Sequence, residues 1–206
     1  MSITIILCVI IGLVSYQSFE KPVLFHKLKH HPYTEHRDKE YFRWITSIFV
    51  HGDYNHLFIN IFVLWQIGTQ VEGRFIVMFG ETGRIYFILL FLLSGLFADL
   101  PTFAKYKDNS GFSSVGASGA VAGILMAYVL FWPWNWFIFP PLPGFLLGIG
   151  YILYSTWAEK NSPGRINHSA HLYGALFGLF FTILIDKNVL PNFLELMSQP
   201  QPPPFF

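Results

Sequence analysis

Apolar residues along this chain gather into six runs, parted by segments that hold most of the charges, the prolines and most of the histidines. The runs cover about Ser2–Ser18, Thr46–Gln70, Ile85–Leu100, Val115–Trp132, Phe145–Trp157 and Ala170–Ile185. Each approaches the roughly 20 residues a helix needs to cross a bilayer, and the short fifth run is expected to extend at one end. The first connection, Phe19 to Arg43, carries six Lys or Arg, four histidines and two prolines. That is long for a hairpin and predicts interfacial structure of its own. The third connection, about Pro101–Ser114, is polar and carries Gly111, a loop signal. The fourth, Pro133–Gly144, holds aromatics suited to a headgroup belt. The fifth contains Asn161-Ser162-Pro163-Gly164, a turn signal. The end, Gln199–Phe206, is Pro-rich and reads as disordered.

Composition turns these runs into a fold class. The 206 residues are 53% hydrophobic and 12% charged, with a mean hydropathy of +0.45; an average globular domain is about 25% charged. The expected fold is an all-α polytopic membrane protein with six transmembrane helices. It is read as one six-helix domain over 1–187, with an interfacial first loop at about 19–43, followed by a short Pro-rich tail over 188–206. The first run lacks a positive leading segment and a small-residue cleavage site, so it reads as a retained helix. A net charge of +1 suggests neither a nucleic-acid partner nor a basic membrane-surface protein. Cys8 is the single cysteine, so no intrachain disulfide is possible.

Against this apolar background, a few polar groups stand at costly positions. Ser118, in Gly116-Ala117-Ser118-Gly119, opens the fourth run, and His171, in Ala170-His171-Leu172-Tyr173-Gly174, opens the sixth. Ionisable groups inside a membrane are functional-site candidates by default. A serine needs a base to act as a nucleophile, and histidine is the usual one. With six spans, helices two, four and six run the same way, so their N-terminal ends share one face of the membrane. His51 and His56, Ser118 and His171 therefore converge at similar depth, and both termini belong on the opposite side. A serine at a helix N-terminus also stands beside unpaired N–H groups that favour a developing negative charge. His56 and Asn60, four apart on one helical face, add side-chain donors for an oxyanion. Gly174 and Gly178 have a spacing that admits a neighbouring helix closely. The alternative for the serine motif is simple helix packing through small residues, and for the histidine a bridging polar group.

The order and spacing of His51-x4-His56-x3-Asn60, Gly116-Ala117-Ser118-Gly119 and Ala170-His171-x2-Gly174-x3-Gly178 resemble the rhomboid family of intramembrane serine proteases. The likeness covers about residues 40–187. Arg43-Trp44 is similar to an aromatic–arginine pair in that family's first loop. Glu72-Gly73-Arg74 after helix two is similar to its Glu-x-Arg/Lys element, expected as a structural ion pair away from the active site. The resemblance implies Ser118 as nucleophile and His171 as general base and acid. It implies an oxyanion hole of His56, Asn60 and the Ser118 backbone N–H, with His51, Gly116, Gly119 and Gly174 in support. It also implies a transmembrane-helix substrate entering from the bilayer, helix five and its covering loop as the gate, and no cofactor or metal. Where family members often carry an aromatic four residues after the serine, this chain has Ala122; Tyr173 or a Phe of helix two are candidate substitutes for it under His171. His26, His30, His31 and His36 are expected at the wet interface without a chemical role.

Two further readings compete. A proteolytically dead relative would bind transmembrane clients, but it has no need of both Ser118 and His171. His168-x2-His171 could hold a metal, yet no His-Glu-x-x-His motif is present and carboxylate partners are missing from the spans. Ten of 13 Lys and Arg lie on the active-site face, which by the positive-inside rule points that face to the cytoplasm. The resemblance points it to the extracytoplasmic side of a bacterial inner membrane, and this second placement is the one expected. Oligomeric state is not legible.

Overall fold

In the computed structural model of the chain, residues 2–137, 140–161 and 167–202 are described. They form α1 (Ile3–Glu20), α2 (Pro22–Leu28), α3 (Pro32–Asp38), α4 (Arg43–Thr46), a 3-10 turn (Ser47–Phe49), α5 (Tyr54–Phe79), α6 (Thr82–Tyr106), α7 (Ser118–Phe131), α8 (Gly144–Asn161), α9 (His168–Ile185) and α10 (Val189–Met197). The fold is all-α and polytopic. Among the described residues α1, α6 and α9 are long and apolar enough to cross a membrane by themselves, and α7 is a shorter apolar helix.

α7 is the axis of the bundle. Every residue from Gly119 to Phe131 is buried, and α9, α6 and α5 pack around it, with α8 on a further side. α1 lies outside against α5. At 1.5 Å per residue, 14 residues span about 21 Å, well short of the roughly 30 Å hydrocarbon layer. A central helix this short must leave at least one of its ends below the membrane surface. The residue at its beginning is Ser118. The outer helices show lipid a row of large apolar side chains, such as Phe58, Trp65, Leu153 and Leu184, all more than half exposed.

The structure differs from the expected boundaries in three places. Helix two ends at Phe79 rather than near Gln70, because Val71, Glu72 and Phe75 carry its buried face onward. Glu72-Gly73-Arg74 therefore lies inside α5, not after it. α6 runs through Pro101 to Tyr106, where a loop was expected. The proline removes one backbone bond, but Ala98, Asp99 and Thr102 on either side remain buried against the bundle. The segment read as a tail contains α10, whose end is held where Trp134 Nε1–H donates to the Leu196 carbonyl at 2.9 Å. The first connection carries α2, α3 and α4. The turn at Asn161-Ser162-Pro163-Gly164 lies, from Ser162 on, outside the described residues, as do the last four residues of the Pro-rich end.

Glu72 also has a different partner from the one expected. Arg74 stacks over the Phe131 ring at 5.5 Å. The carboxylate of Glu72 instead caps the start of α1: Oε1 accepts the Ile3 N–H at 2.8 Å, and Oε2 accepts the Thr4 N–H at 2.9 Å and the hydroxyls of Ser2 and Thr4 at 2.6 and 2.7 Å. Arg84 approaches Oε1 at 3.6 Å. An anion at a helix N-terminus satisfies donors that otherwise lack partners. Glu72→Leu is expected to lower stability by about 1–3 kcal/mol, the cost of leaving such buried donors unmade. Thermal unfolding in detergent checks this, and an unchanged midpoint would show that the cap carries no stability.

Candidate active site

The loop before α7 sets the site. Gly116 has φ +122°, a region L side chains rarely enter. A Cβ there would also lie 2.5 Å from Cε1 and 2.8 Å from Nε2 of His56. Glycine is thus required both by the turn and by the approach of the His56 ring. The Gly116 N–H donates to the Ser47 carbonyl at 3.0 Å, and the Ala117 N–H donates to Nε2 of His51 at 3.3 Å. These two bonds hold the last residues before Ser118 against the segment that precedes α5.

His51 lies before α5, fully buried. Since its Nε2 accepts from Ala117, its proton sits on Nδ1 and is given to Ser15 Oγ at 2.9 Å, and Ser15 passes its own hydroxyl proton to the Phe49 carbonyl at 3.0 Å. The three bonds agree on one tautomer. His56 packs edge-on against His51, with ring centroids 4.9 Å apart. Its N–H is capped by Asp53 at 2.8 Å. Asn60 is buried and donates one amide N–H to the His56 carbonyl at 2.9 Å.

α9 supplies the second half. Asn167 caps it by accepting the Ala170 N–H at 3.1 Å and donates to Thr102 Oγ1 of α6 at 3.1 Å. Gly174 faces Gly119, and a Cβ on Gly174 would meet the Gly119 carbonyl and lie 2.9 Å from its Cα; Gly178 meets Gly123 in the same way one turn on. The two helices cross with nothing between their backbones. Ser118 directly precedes Gly119, and His171 lies one turn before Gly174, so this contact sets the distance between them. Ser118 Oγ and His171 Nε2 are 2.8 Å apart, within reach for direct proton transfer. Both side chains are half-buried.

The His171 ring is stacked by Tyr151 of α8, with centroids 6.0 Å apart and planes 24° from parallel. Neither Tyr173, which faces lipid at 44% exposure, nor a Phe of helix two fills that place. His168, buried, meets His171 edge-on at 5.9 Å, and no partner for its Nδ1 is found among the described residues. Expected site residues therefore meet as two groups, Ser118 with His171 and His51 with His56 and Gly116, joined through the 116–117 backbone. Asn60 reaches the site through the His56 backbone.

The sequence reading missed Tyr151, Ser15 and Asn167. Asn167 had a signal, since Asn ahead of an apolar run is an N-cap signature. Ser15, polar within the first run, had a weak one. Tyr151 had none, because a tyrosine in a membrane helix does not reveal what it faces.

Comparison with known proteins gives the family. The family model described as Rhomboid domain matches residues 38–188. The chain belongs to the rhomboid family. It is 28% identical to rhomboid protease GlpG of Haemophilus influenzae over 197 residues, covering 92% of this chain and 91% of that one. It is 32% identical to rhomboid protease GluP of Bacillus subtilis, covering 68% of this chain and 25% of the relative. To the chloroplastic rhomboid-like protein 11 of Arabidopsis thaliana it is 30% identical, covering 75% of this chain and 56% of the relative. The chain spans about half the length of the plant rhomboids it matches.

Proposed function

We propose that this rhomboid is an intramembrane serine endopeptidase that cleaves transmembrane-helix substrates through a Ser118–His171 dyad. The 2.8 Å contact between Ser118 Oγ and His171 Nε2, at the start of a helix too short to span the hydrocarbon layer, carries the reading. With its proton on Nδ1, His171 accepts the Ser118 proton at Nε2 as the serine oxygen attacks the scissile carbonyl. The Ser118, Gly119 and Ala120 N–H groups have no partner inside α7 by helix geometry. With the His56 ring and the second Asn60 N–H, they are the donors for the tetrahedral oxyanion. His171 then protonates the leaving amine, and water completes deacylation of the serine ester. His51 holds the Ala117 N–H and so orients the turn.

A transmembrane helix has all its amides bonded internally and must unwind locally before attack, so substrates with helix-breaking residues near the surface are favoured. α8 is the entry side. A Cβ on its Gly150 would meet nothing within 4 Å, whereas one on Gly148 would touch Val129 of α7 at 3.2 Å. We place the protein in a bacterial inner membrane with the site on the extracytoplasmic side, supported by the near full-length likeness to the Haemophilus relative. The test is incubation of the purified protein with a model transmembrane substrate and a fluorophosphonate probe. Wild type is expected to cleave and to be labelled, and Ser118→Ala to do neither. Equal cleavage by both would sink the reading, and client binding without cleavage would favour an inactive relative.

Tyr151 stands under the base but donates nothing to it, so its ring rather than its hydroxyl matters. An aromatic pair contributes about 0.5–1.5 kcal/mol, and about 1.4 kcal/mol is tenfold in rate. Tyr151→Ala is expected to lower kcat by up to about tenfold, with Tyr151→Phe close to wild type. Steady-state kinetics decides, and equal loss in both variants would assign the effect to the hydroxyl.

A further inference from the structure

The proposed chemistry leaves a buried set of titratable groups unused. His30 lies between α2 and α3, with 0% of its surface exposed, and Glu35 is equally buried. His30 Nδ1 donates to Glu35 Oε1 at 2.7 Å and lies 4.0 Å from Asp99 Oδ2 on α6. The sequence reading set this histidine at the wet interface. It faces the interior because its backbone pairs with another strand of chain: the His30 N–H donates to the Ser114 carbonyl and the Ser114 N–H to the His30 carbonyl, both at 3.0 Å.

That partner segment is the loop that leads into Ser118, and the first connection and its extension to His51 hold it at five points. The His31 ring reaches the Ser110 carbonyl at 3.1 Å, and Lys29 Nζ donates to Ser113 Oγ at 3.1 Å. His30 holds Ser114, Ser47 holds Gly116, and His51 holds Ala117. Two of these five join one cluster. Ser47 accepts the Gly116 N–H with its carbonyl while its hydroxyl donates to Asp99 Oδ2 at 3.2 Å. His30, beside the same Asp99, holds Ser114. The nucleophile loop thus hangs from both sides of a buried His30–Asp99 contact.

Charge makes this contact conditional. Glu35 accepts three N–H donors, from His30, from the His31 backbone at 2.7 Å and from Trp44 at 2.6 Å. The charged groups facing His30 are Glu35 from α3, Asp99 from α6 and Arg43 from α4. Arg43 is already committed to Glu40 and to the His26 and Lys29 carbonyls. With a neutral ring an ionised Asp99 would be buried without a nearby cation, so Asp99 must either bear an uncompensated buried charge or take up a proton.

Building on the proteolytic reading above, we propose that His30 is a positioning residue whose protonated ring fastens the first connection to the Ser118 loop, giving cleavage an alkaline limit separate from the dyad. Burial works against the charged ring, but Asp99 and Glu35 outweigh burial and Arg43, and raise its pKa above the ordinary 6.5. A raised histidine stabilises the folded loop fully below the ordinary value, and that contribution is lost as pH rises through the folded one.

The experiment uses the full chain in liposomes with two readouts across the histidine range and above it. One is kcat and KM on a model transmembrane substrate; the other is the amide-exchange protection factor of residues 110–117. In wild type, protection and kcat are expected to fall together on the alkaline side while KM holds. Asp99→Asn keeps the acceptor for Ser47 but removes the anion, and should move both midpoints down by about one pH unit. His30→Gln should abolish the midpoint and leave low, flat protection; if that variant does not fold, Asp99→Asn decides. Protection that is flat with pH in wild type, or an unmoved midpoint in Asp99→Asn, overturns the proposal. If wild type fails to cleave, or Ser118→Ala cleaves equally, the proteolytic reading fails while the exchange readout still judges His30.

Discussion

Ser118→Ala and His171→Ala should each lose cleavage by about 10⁴-fold or more, and the double variant should be no worse than either single. The reason lies in the proton. In the proposed mechanism Ser118 attacks only as its hydroxyl proton moves to His171 Nε2, 2.8 Å away, so removing either end removes the same event. What survives is the contribution of the oxyanion donors and of substrate binding, which both variants keep. Fluorophosphonate labelling should vanish in His171→Ala as well, although Ser118 is present there. Rates measured on the singles and the double check this. Losses that multiply would mean the two residues act separately, and substantial cleavage by either single would remove the dyad.

Gly174→Ala should be nearly as damaging to activity although it adds only one methyl group. That methyl would overlap the Gly119 carbonyl, and neither backbone can yield without parting α7 from α9. Overfilling a packed contact costs about 1–3 kcal/mol of stability. Here the parting also opens the Ser118–His171 distance, because each residue is within one turn of the contact. Catalysis is sharply sensitive to such displacement, so a loss of about 10²-fold is expected in protein that still folds. Gly150→Ala on α8 is the control, since a Cβ there meets nothing within 4 Å. The measurements are thermal unfolding and fluorophosphonate labelling of the folded fraction. A Gly174→Ala protein that labels at the wild-type rate would show that the helix contact does not set the dyad distance.

Much of this arrangement was legible because the membrane makes polarity informative. In a chain so apolar, Ser118, His171, His56 and Asn60 stood out by their cost, and counting spans put them on one face before any contact was known. The glycine pairing was legible too, since a four-residue spacing of small residues implies a backbone face. What escaped was contact between segments distant in sequence. The support under His171 comes from Tyr151, 20 positions away on another helix, and no local pattern distinguishes it from a lipid-facing tyrosine such as Tyr154, 56% exposed. His30 escaped for the converse reason. Its neighbours are charged, its segment looks like a wet loop, and its burial follows from pairing with Ser114. The helix ends were misjudged at Gln70 and Pro101 because the buried face of a helix, not its composition, decides how far it runs.

The buried axis bears on how the molecule comes into being. Chain synthesis proceeds from α1 toward α10, so α7 enters the membrane before the helix that covers its glycine face. Until α9 arrives, Ser118 stands without His171, and Gly119 and Gly123 lie open to lipid or to α6. A stalled or truncated chain would therefore carry the serine and still be inert. α9, made after α7, completes this wall of the bundle and delivers His171 in the same step, so on the proposed function the chain gains reactivity toward other membrane helices only once α9 is in place.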